Sequence, residues 1–324
     1  MEKVQLGNSG VWASALAMGS DVLGSKIDRA TTFALLDYYA DRGGTLIDTA
    51  NFYASWLPGC QGGESETAIG AWMKERGNRN KLLISSKLAF DYPGSPGGLT
   101  AQEIEQECNK SLKRLETDRL DIYYAHRDDL ATPQEETMAA FDRLVRAGKV
   151  RVLGASNLPI WRIAEANAIA AANRWSGYQV IQQRYTYVRP RHGADFGPQI
   201  FFSEDTKAFA KSHGITLVAY SVLLAGAYTR PERQLPAQFA GVDSDERIAA
   251  LKSVAKDLAV SPNQVVIAWM RQSDPAVLPI IAGSKTEQLQ ENIEALKLKL
   301  TDEQMKKLSS AGNPVILEAW LQPT

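Results

Sequence analysis

The stretch "LDIYYAH", residues 120–126, is apolar over consecutive positions and then ends on a histidine. A half-exposed strand alternates polar and apolar residues, whereas a strand of a parallel sheet is covered on both faces and is apolar throughout. Seven other short segments have the same form: "ALAMGS" (15–20), "TLID" (45–48), "LLISSK" (82–87), "VRVLGASN" (150–157), "YQVIQQ" (178–183), "ITLVAYS" (215–221) and "VLPIIAGS" (277–284). The sequence therefore predicts eight parallel strands.

Amphipathic segments with helix-capping patterns lie between these runs. Residues 29–42 have apolar side chains at helical spacing, and "TPQEE" (132–136) predicts an N-cap at Thr132 followed by Pro133 at the first helical position. Further N-caps are predicted at the starts of "TAQEI" (100–104), "SPNQ" (261–264) and "TDEQ" (301–304). Strand followed by helix, eight times over, predicts one (β/α)8 TIM barrel domain spanning residues 1–324.

Two additions to the barrel are also expected. Apolar residues flank Gly-Asn-Ser-Gly (7–10), which predicts a short N-terminal β-hairpin. An extra helix and an apolar tail should follow the last strand. No low-complexity linker divides the chain, so the whole sequence is expected to form a single domain.

The composition limits the classes of function. The 324 residues are 44% hydrophobic, and 36 Lys and Arg stand against 37 Asp and Glu, a net charge of −1. No block of like charge points to nucleic acid or an anionic membrane, and no run approaches the ~18 apolar residues of a membrane span. Cys108 falls on a helical apolar spacing and Cys60 in a Gly-rich loop, so no disulfide framework is expected. Without an apolar signal segment, a cytoplasmic location is the expectation.

Polar residues end seven of the eight predicted strands. In chain order they are Asp48, Lys87, His126, Asn157, the pair Gln182 and Gln183, Ser221 and Ser284. Any one of them could be a turn or cap residue. In a parallel barrel, however, the carboxyl ends of all strands lie on one face, where active sites are built. The sequence therefore predicts an active site on that face.

Tyr53 follows Asp48 by five residues and suggests the chemistry. A lysine at ~4 Å, in an effective dielectric of ~20, favours a phenolate by about 4 kcal/mol before desolvation opposes it. Lys87 is therefore expected to lower the pKa of Tyr53, with Asp48 keeping the lysine charged and His126 orienting a carbonyl oxygen. This set would give a proton to a carbonyl that accepts a hydride.

Other chemistries have less support. The three histidines, His126, His192 and His213, are not spaced with further ligands, so no metal site is expected. His213 precedes a glycine at a predicted helix end and is expected to cap it, whereas His192 is either a substrate contact or a solvated loop residue. No G-x-G-x-x-G follows a strand, which excludes a Rossmann unit.

The sequence resembles the aldo-keto reductase family over nearly its whole length. "IDTANFY" (47–53), "ISSK" (84–87) and "LDIYYAHRDD" (120–129) resemble the family's Asp-and-Tyr, Lys and His segments. "VRVLGASN" (150–157), "LVAYS" (217–221) and "GSKTEQLQEN" (283–292) are similar to its cofactor segments. The resemblance implies a catalytic tetrad of Asp48, Tyr53, Lys87 and His126.

The resemblance also implies how a nicotinamide cofactor is held. Ser156, Asn157 and Gln182 would contact the carboxamide, and Tyr220 would stack on the ring. The pyrophosphate and adenosine contacts implied are Ser221, Leu223, Ser284, Lys285, Gln288 and Asn292. Many members have an arginine where this chain has Gln288, and Lys285 could supply the charge for a 2'-phosphate instead. NADPH is therefore the expected cofactor, with NADH as a secondary one.

The substrate pocket is expected in the loops, which carry specificity on this fold. Its predicted lining is Met18, Trp56, Phe90, Arg127 and Trp320. Arg127 would either meet an anionic substrate or pair with Asp128 or Asp129. Nothing in the sequence distinguishes an aldehyde, a keto-sugar or a bulky ketone, and the oligomeric state is equally open.

Three functions fit these patterns. The favoured one is an NADPH-dependent carbonyl reductase that acts on a small-molecule aldehyde or ketone. The second is a nicotinamide-binding sensor or accessory subunit, similar to the channel β subunits that share the barrel, with little turnover. The third is a Schiff-base aldolase with Lys87 as nucleophile, which trapping with borohydride would reveal.

Overall fold

The protein is described by a computed structural model covering residues 1–230 and 232–312. Its first two strands, β1 (Lys3–Gln5) and β2 (Trp12–Ser14), pair antiparallel with Gln5 opposite Trp12. The turn between them contains Gly7 and Gly10, both at positive φ. The predicted N-terminal hairpin is therefore confirmed.

The following eight strands close into a parallel barrel in the order β10-β3-β4-β5-β6-β7-β8-β9. They are β3 (Ala17–Gly19), β4 (Leu46–Asp48), β5 (Leu83–Leu88), β6 (Leu120–Ala125), β7 (Val150–Ser156), β8 (Tyr178–Arg184), β9 (Thr216–Tyr220) and β10 (Val277–Ile281). All eight predicted strands are present, and the predicted (β/α)8 fold is confirmed.

Ten α-helices lie in the described part of the chain. They are α1 (Arg29–Asp41), α2 (Glu64–Arg76), α3 (Ala101–Arg114), α4 (Gln134–Arg146), α5 (Ile160–Asn173), α6 (Glu204–His213), α7 (Val242–Asp257), α8 (Pro262–Gln272), α9 (Thr286–Glu294) and α10 (Asp302–Ser310). The expected alternation is broken once, because both α7 and α8 follow β9. Since α8 packs on β10 while α7 packs on α8 and α10, α8 is the barrel helix and α7 covers it from outside.

Helix starts follow the capping patterns with one exception. Ser261 and Thr301 form full capping boxes with Gln264 and Gln304, as predicted. The predicted N-cap at Thr132 is one residue early, since α4 begins after Pro133. Thr132 Oγ1 donates instead to Asp129 Oδ2 at 2.7 Å, so its side chain is not free to cap the helix.

The hairpin closes the amino end of the barrel. Leu6, Val11 and Ala13 join one buried cluster with residues near the first positions of the strands, including Leu46 and Leu83. The backbone N–H of residue 7 donates to Thr216 Oγ1 at 2.7 Å, which ties the hairpin to β9. The interior of the barrel therefore has an apolar floor at its amino end.

A glycine makes room for a tyrosine in the barrel interior. Tyr124 lies opposite Gly154 in the β6–β7 register and is 1% exposed. A Cβ on residue 154 would lie 2.3 Å from two ring carbons of Tyr124, far inside any real contact. The ring thus separates the apolar floor from the polar end above it.

Candidate active site

A buried ion pair joins the ends of β4 and β5. Lys87 Nζ lies 2.6 Å from Asp48 Oδ2, and the two side chains are 0% and 4% exposed. Asp48 Oδ1 accepts from Ser85 Oγ at 2.7 Å and from Gln182 Nε2 at 2.9 Å. A buried pair of charges is sustained only when its remaining lone pairs and protons find partners, and here the carboxylate's partners come from two other strands, β5 and β8.

The same ammonium reaches Tyr53 on the turn after β4. Lys87 Nζ donates to Tyr53 Oη and to the Thr49 carbonyl, both at 2.8 Å. Together with Asp48, these contacts use all three N–H donors of the lysine. The predicted meeting of carboxylate, ammonium and phenol is present in the structure.

The predicted direction of the Tyr53 pKa is wrong. Burial is the largest influence and raises the pKa of Tyr53 well above its usual value, and the charge of Asp48 raises it further. The pKa of Lys87 is lowered by burial, which the charge of Asp48 opposes. A Tyr53 phenolate would be buried away from water and would be repelled by the Asp48 carboxylate on the other side of Lys87. Tyr53 is therefore held as a protonated phenol.

His126 follows β6 and is fixed mainly by aromatic contacts. Its ring centroid lies 5.3 Å from that of Phe52, 5.0 Å from Phe90 and 6.0 Å from Tyr53. Burial, followed by the charge of Lys87, lowers its pKa well below the usual value. The imidazole is therefore neutral near pH 7 and offers one N–H donor and one acceptor.

Asn157 connects three elements at the end of β7. Its Nδ2 donates to the His126 carbonyl at 3.0 Å, and its Oδ1 accepts from Tyr220 Oη at 2.7 Å and from the Ile200 N–H at 3.2 Å. The residue adopts φ of 58°, a left-handed conformation that asparagine tolerates better than most residues. One amide thus ties the ends of β6 and β9 to the loop between β8 and α6.

A cavity of about 910 Å³ opens at this end of the barrel. It brings together most of the predicted site residues: Asp48, Tyr53, Trp56, Phe90, His126, Asn157, Gln182, Tyr220, Ser221, Leu223, Ser284, Gln288 and Asn292. Lys87 and Ser156 lie behind this wall, fully buried.

Other predicted residues lie elsewhere. Met18 is fully buried but belongs to the core between strands and helices, whereas its neighbour Ala17 faces the barrel interior. The prediction of Met18 as pocket lining is therefore wrong, because successive residues of a strand point to opposite faces. Lys285 is exposed at the start of α9 and is not part of the cavity wall.

Arg127 also lies outside the cavity wall, so its prediction as pocket lining is wrong. Its guanidinium lies 5.3 Å from the centroid of the Phe90 ring and 3.9 Å from Asp91 Oδ1. The expected partners are already engaged, since Asp128 pairs with Arg162 and Asp129 accepts from Thr132. Trp320 lies outside the described residues.

Several wall residues were not predicted. They are Asp21, Phe52, Phe196, Pro198, Gln199, Arg230 and Glu291, among others. Asp21 follows the first barrel strand by two residues, so the rule of strand ends was sufficient to find it. Arg230 and residues 196–199 lie in long loops, where no sequence periodicity marks which side chains turn inward.

Residues 1–230 and 232–312 contain neither a candidate metal site nor a candidate membrane span. No cluster of three or more His, Cys, Asp or Glu side chains in those ranges could hold a metal ion. None of the helices described there has both the length and the apolar character needed to cross a membrane.

A parallel barrel with a lysine buried between a carboxylate and a tyrosine at its carboxyl end defines a class of barrel oxidoreductases. The aldo/keto reductase family model matches residues 15–313 of this chain. The chain belongs to the aldo/keto reductase family. It is thus an NAD(P)H-dependent oxidoreductase that acts on carbonyl compounds.

Individual relatives span most of the chain. Norsolorinic acid reductase A of Aspergillus parasiticus is 31% identical over 323 residues, covering 94% of this chain and 79% of the relative. An uncharacterized oxidoreductase of Bacillus subtilis is 29% identical, with 95% of each chain covered. The crystal structure of a thermostable aldo-keto reductase in complex with the inhibitor epalrestat superimposes with a TM-score of 0.76 and 27% identity, over 96% of this chain and all of that one.

The wall residues fit a nicotinamide cofactor. Asn263 and Asn292 line the cavity, and the Oδ1 of each is buried without a hydrogen-bond partner in the described part of the chain. Such an acceptor is costly unless a donor meets it, as the amino group of an adenine would. Ser284 lies beside the first turn of α9, whose free N–H groups favour a phosphate.

Proposed function

We propose that the protein is an NADPH-dependent carbonyl reductase in which Tyr53 is the general acid. The observation that carries the proposal is the position of Lys87 Nζ, 2.6 Å from Asp48 Oδ2 and 2.8 Å from Tyr53 Oη. An ammonium held there by a carboxylate stabilises the phenolate that Tyr53 becomes when it gives up its proton.

The residues divide the work as follows. A reduced nicotinamide, when bound, supplies the hydride that the carbonyl carbon accepts. Tyr53 gives its proton to the carbonyl oxygen, so the product is an alcohol and the phenolate is left facing Lys87. Because the pKa of Tyr53 is raised, the phenol is fully protonated before the transfer. Neutral His126 donates an N–H to the same oxygen without adding a charge.

The cofactor contacts stay as implied by the family segments. Asn157, Gln182 and Tyr220, with Ser156 behind them, would hold the nicotinamide, and Ser221 and Leu223 the pyrophosphate. Ser284, Gln288 and Asn292 would hold the adenosine. These wall positions support the assignment.

Two cations support NADPH over NADH. Arg230 is on the cavity wall, and Lys285 is exposed at the start of α9. Arg or Lys beside the ribose phosphate favours the phosphorylated cofactor, while Glu291 on the same wall works against a second negative charge. The double variant Arg230→Ala, Lys285→Ala should lower kcat/KM for NADPH by tenfold or more and leave that for NADH unchanged. If the ratio of kcat/KM for NADPH to kcat/KM for NADH does not change, these two cations do not support a preference for NADPH.

The decisive experiment compares the wild type with Tyr53→Phe by loss of reduced-nicotinamide absorbance, using NADPH and a panel of aldehydes and ketones. Removal of a general acid is expected to lower turnover by roughly 10²–10⁴. The dissociation constant of NADPH should not change. Tyr38→Phe is a matched control, because Tyr38 lies outside the cavity wall and its buried hydroxyl has no partner in the described residues.

Other outcomes have separate meanings. Tight NADPH binding without turnover on any carbonyl would support the sensor function instead. Borohydride trapping of a substrate on Lys87 would support an aldolase. Absence of binding to either cofactor would refute the proposal.

A further inference from the structure

One carboxylate in the catalytic cavity has no part in the proposed proton and hydride transfers. Asp21 follows β3, whose Gly19 lies opposite Asp48 in the barrel register, and its neighbour Ser20 donates to the Asp48 carbonyl at 2.7 Å. Asp21 therefore extends the wall directly beside the Asp48–Lys87 pair. It shares that wall with Tyr53 and His126.

The carboxylate of Asp21 is reachable from the cavity. Asp21 is exposed, but its exposed side faces the concave site. Burial raises its pKa, and the charge of Lys87 is the main influence in the opposite direction. All three N–H donors of Lys87 are used by Asp48, Thr49 and Tyr53, so none is left for a bond to Asp21. A carboxylate that faces the cavity and has no ion-pair partner in the described residues can accept a hydrogen bond from a donor brought by a ligand.

The rest of the catalytic end is aromatic. Phe52 stacks on Phe90 with centroids 4.7 Å apart, and Trp56 lies 5.4 Å from Phe52. Aromatic faces accept the C–H face of a small carbon chain, and a carboxylate accepts hydrogen bonds from its hydroxyls. A neutral hydroxyl suits Asp21 better than an ammonium, since Lys87 already offsets part of the negative charge.

We propose that Asp21 is a substrate-binding residue that selects hydroxylated carbonyl compounds, by accepting a hydrogen bond from a hydroxyl near the reacting carbonyl. The inference rests on the proposed carbonyl reductase function. A site built to accept from a hydroxyl discriminates strongly against analogues that lack it, because its own polar group is then left unpaired. The same carboxylate disfavours substrates that carry a carboxylate near the carbonyl.

The test compares glyceraldehyde with propanal, which has the same carbon skeleton without hydroxyls. Asp21→Asn replaces the charged acceptor by a neutral amide and should lower kcat/KM for glyceraldehyde by about tenfold, the difference between a hydrogen bond to a charged group and one to a neutral group. For propanal the change should stay within about threefold, on the order of a rim contact. For each aldehyde the variant is compared with the wild type, because the fraction of that aldehyde that is hydrated in solution is the same for both enzymes.

Controls separate this inference from the proposed function. Asp91→Asn is the matched variant, because Asp91 is 74% exposed and is not part of the cavity wall. It should change kcat/KM for neither glyceraldehyde nor propanal. Asp21→Ala, checked by thermal melting, should repeat the selective loss. If wild type reduces neither aldehyde nor any other carbonyl, the proposed function fails. If it reduces both and Asp21→Asn leaves their ratio unchanged, only the role of Asp21 is overturned. Weaker NADPH binding with an equal loss on both aldehydes would also overturn it, because Asp21 would then contact the cofactor.

Discussion

Replacing Asp48 by asparagine would leave the Lys87 ammonium buried without an anion. Lys87 is fully buried, and its carboxylate partner lies 2.6 Å away. Removing one partner of a buried ion pair costs about 3–5 kcal/mol, because the remaining charge is uncompensated. Over 324 residues, an unfolding entropy of ~2.1 cal/mol/K per residue converts this loss into a fall in Tm of about 4–7 °C.

The loss should depend on pH in a defined direction. Burial already lowers the pKa of Lys87 in the wild type, and removal of Asp48 lowers it further. Release of its proton is the way in which Lys87 escapes the uncompensated charge in the folded variant, whereas the unfolded chain keeps that proton up to an ordinary pKa of about 10.4. Because the unfolded state binds more protons, the stability of this variant should rise with pH toward that value. Denaturant unfolding at pH 7 and pH 9.5 measures the slope.

Two further variants make the result interpretable. Asp48→Asn combined with Lys87→Met removes both charges and should recover most of the lost stability, with no pH slope. Glu75→Gln breaks two exposed ion pairs, with Arg29 and with Arg76, and should cost under about 1 kcal/mol. The reasoning is refuted if Asp48→Asn lies within about 1 kcal/mol of wild type, or if the double variant is no more stable than the single one.

Three other results are expected. His126 should show no imidazole titration by NMR between pH 8 and 5.5, since burial and Lys87 lower its pKa well below the usual value, and a midpoint near 6.5 would contradict this. Tyr53 should contribute no phenolate absorbance up to pH 10, judged by difference from Tyr53→Phe. Because the pKa of Tyr53 is raised only in the folded state, this residue should also lower the free energy of unfolding as the pH rises above about 10. Gly154→Ala should destabilise the fold by about 1–3 kcal/mol or more in denaturant, since the new Cβ would meet the buried Tyr124 ring, and an unchanged midpoint would show that the ring can move away.

The architecture was largely predictable because it follows from local patterns. Apolar runs and capping residues are short patterns of neighbouring residues, so they can be recognised directly in the sequence. The rule that strand ends share one face then places Asp48, Lys87 and His126 together. The closed barrel and the 2.6 Å contact agree with that expectation. Tyr53 could be found because it lies only five residues beyond a strand end.

What failed depends on pairwise geometry. The assignment of Met18 to the pocket required knowing which face of a three-residue strand looks inward, and the run "ALAM" has no polar residue to show it. Arg127 meets Asp91, a residue from another loop, instead of either neighbour in sequence. Burial raises the pKa of Tyr53 most, the charges of Asp48 and Asp21 raise it further, and burial cannot be read from the sequence.

The hairpin that forms the barrel floor has a consequence for the order of events during turnover. Because β1 and β2 close the amino end, cofactor and substrate can reach the catalytic residues from solvent only through the opening at the carboxyl end. A molecule seated near that opening blocks the exit of one seated below it. Arrival and departure should therefore follow a fixed sequence, which product-inhibition patterns would reveal as competitive for one reactant and noncompetitive for the other.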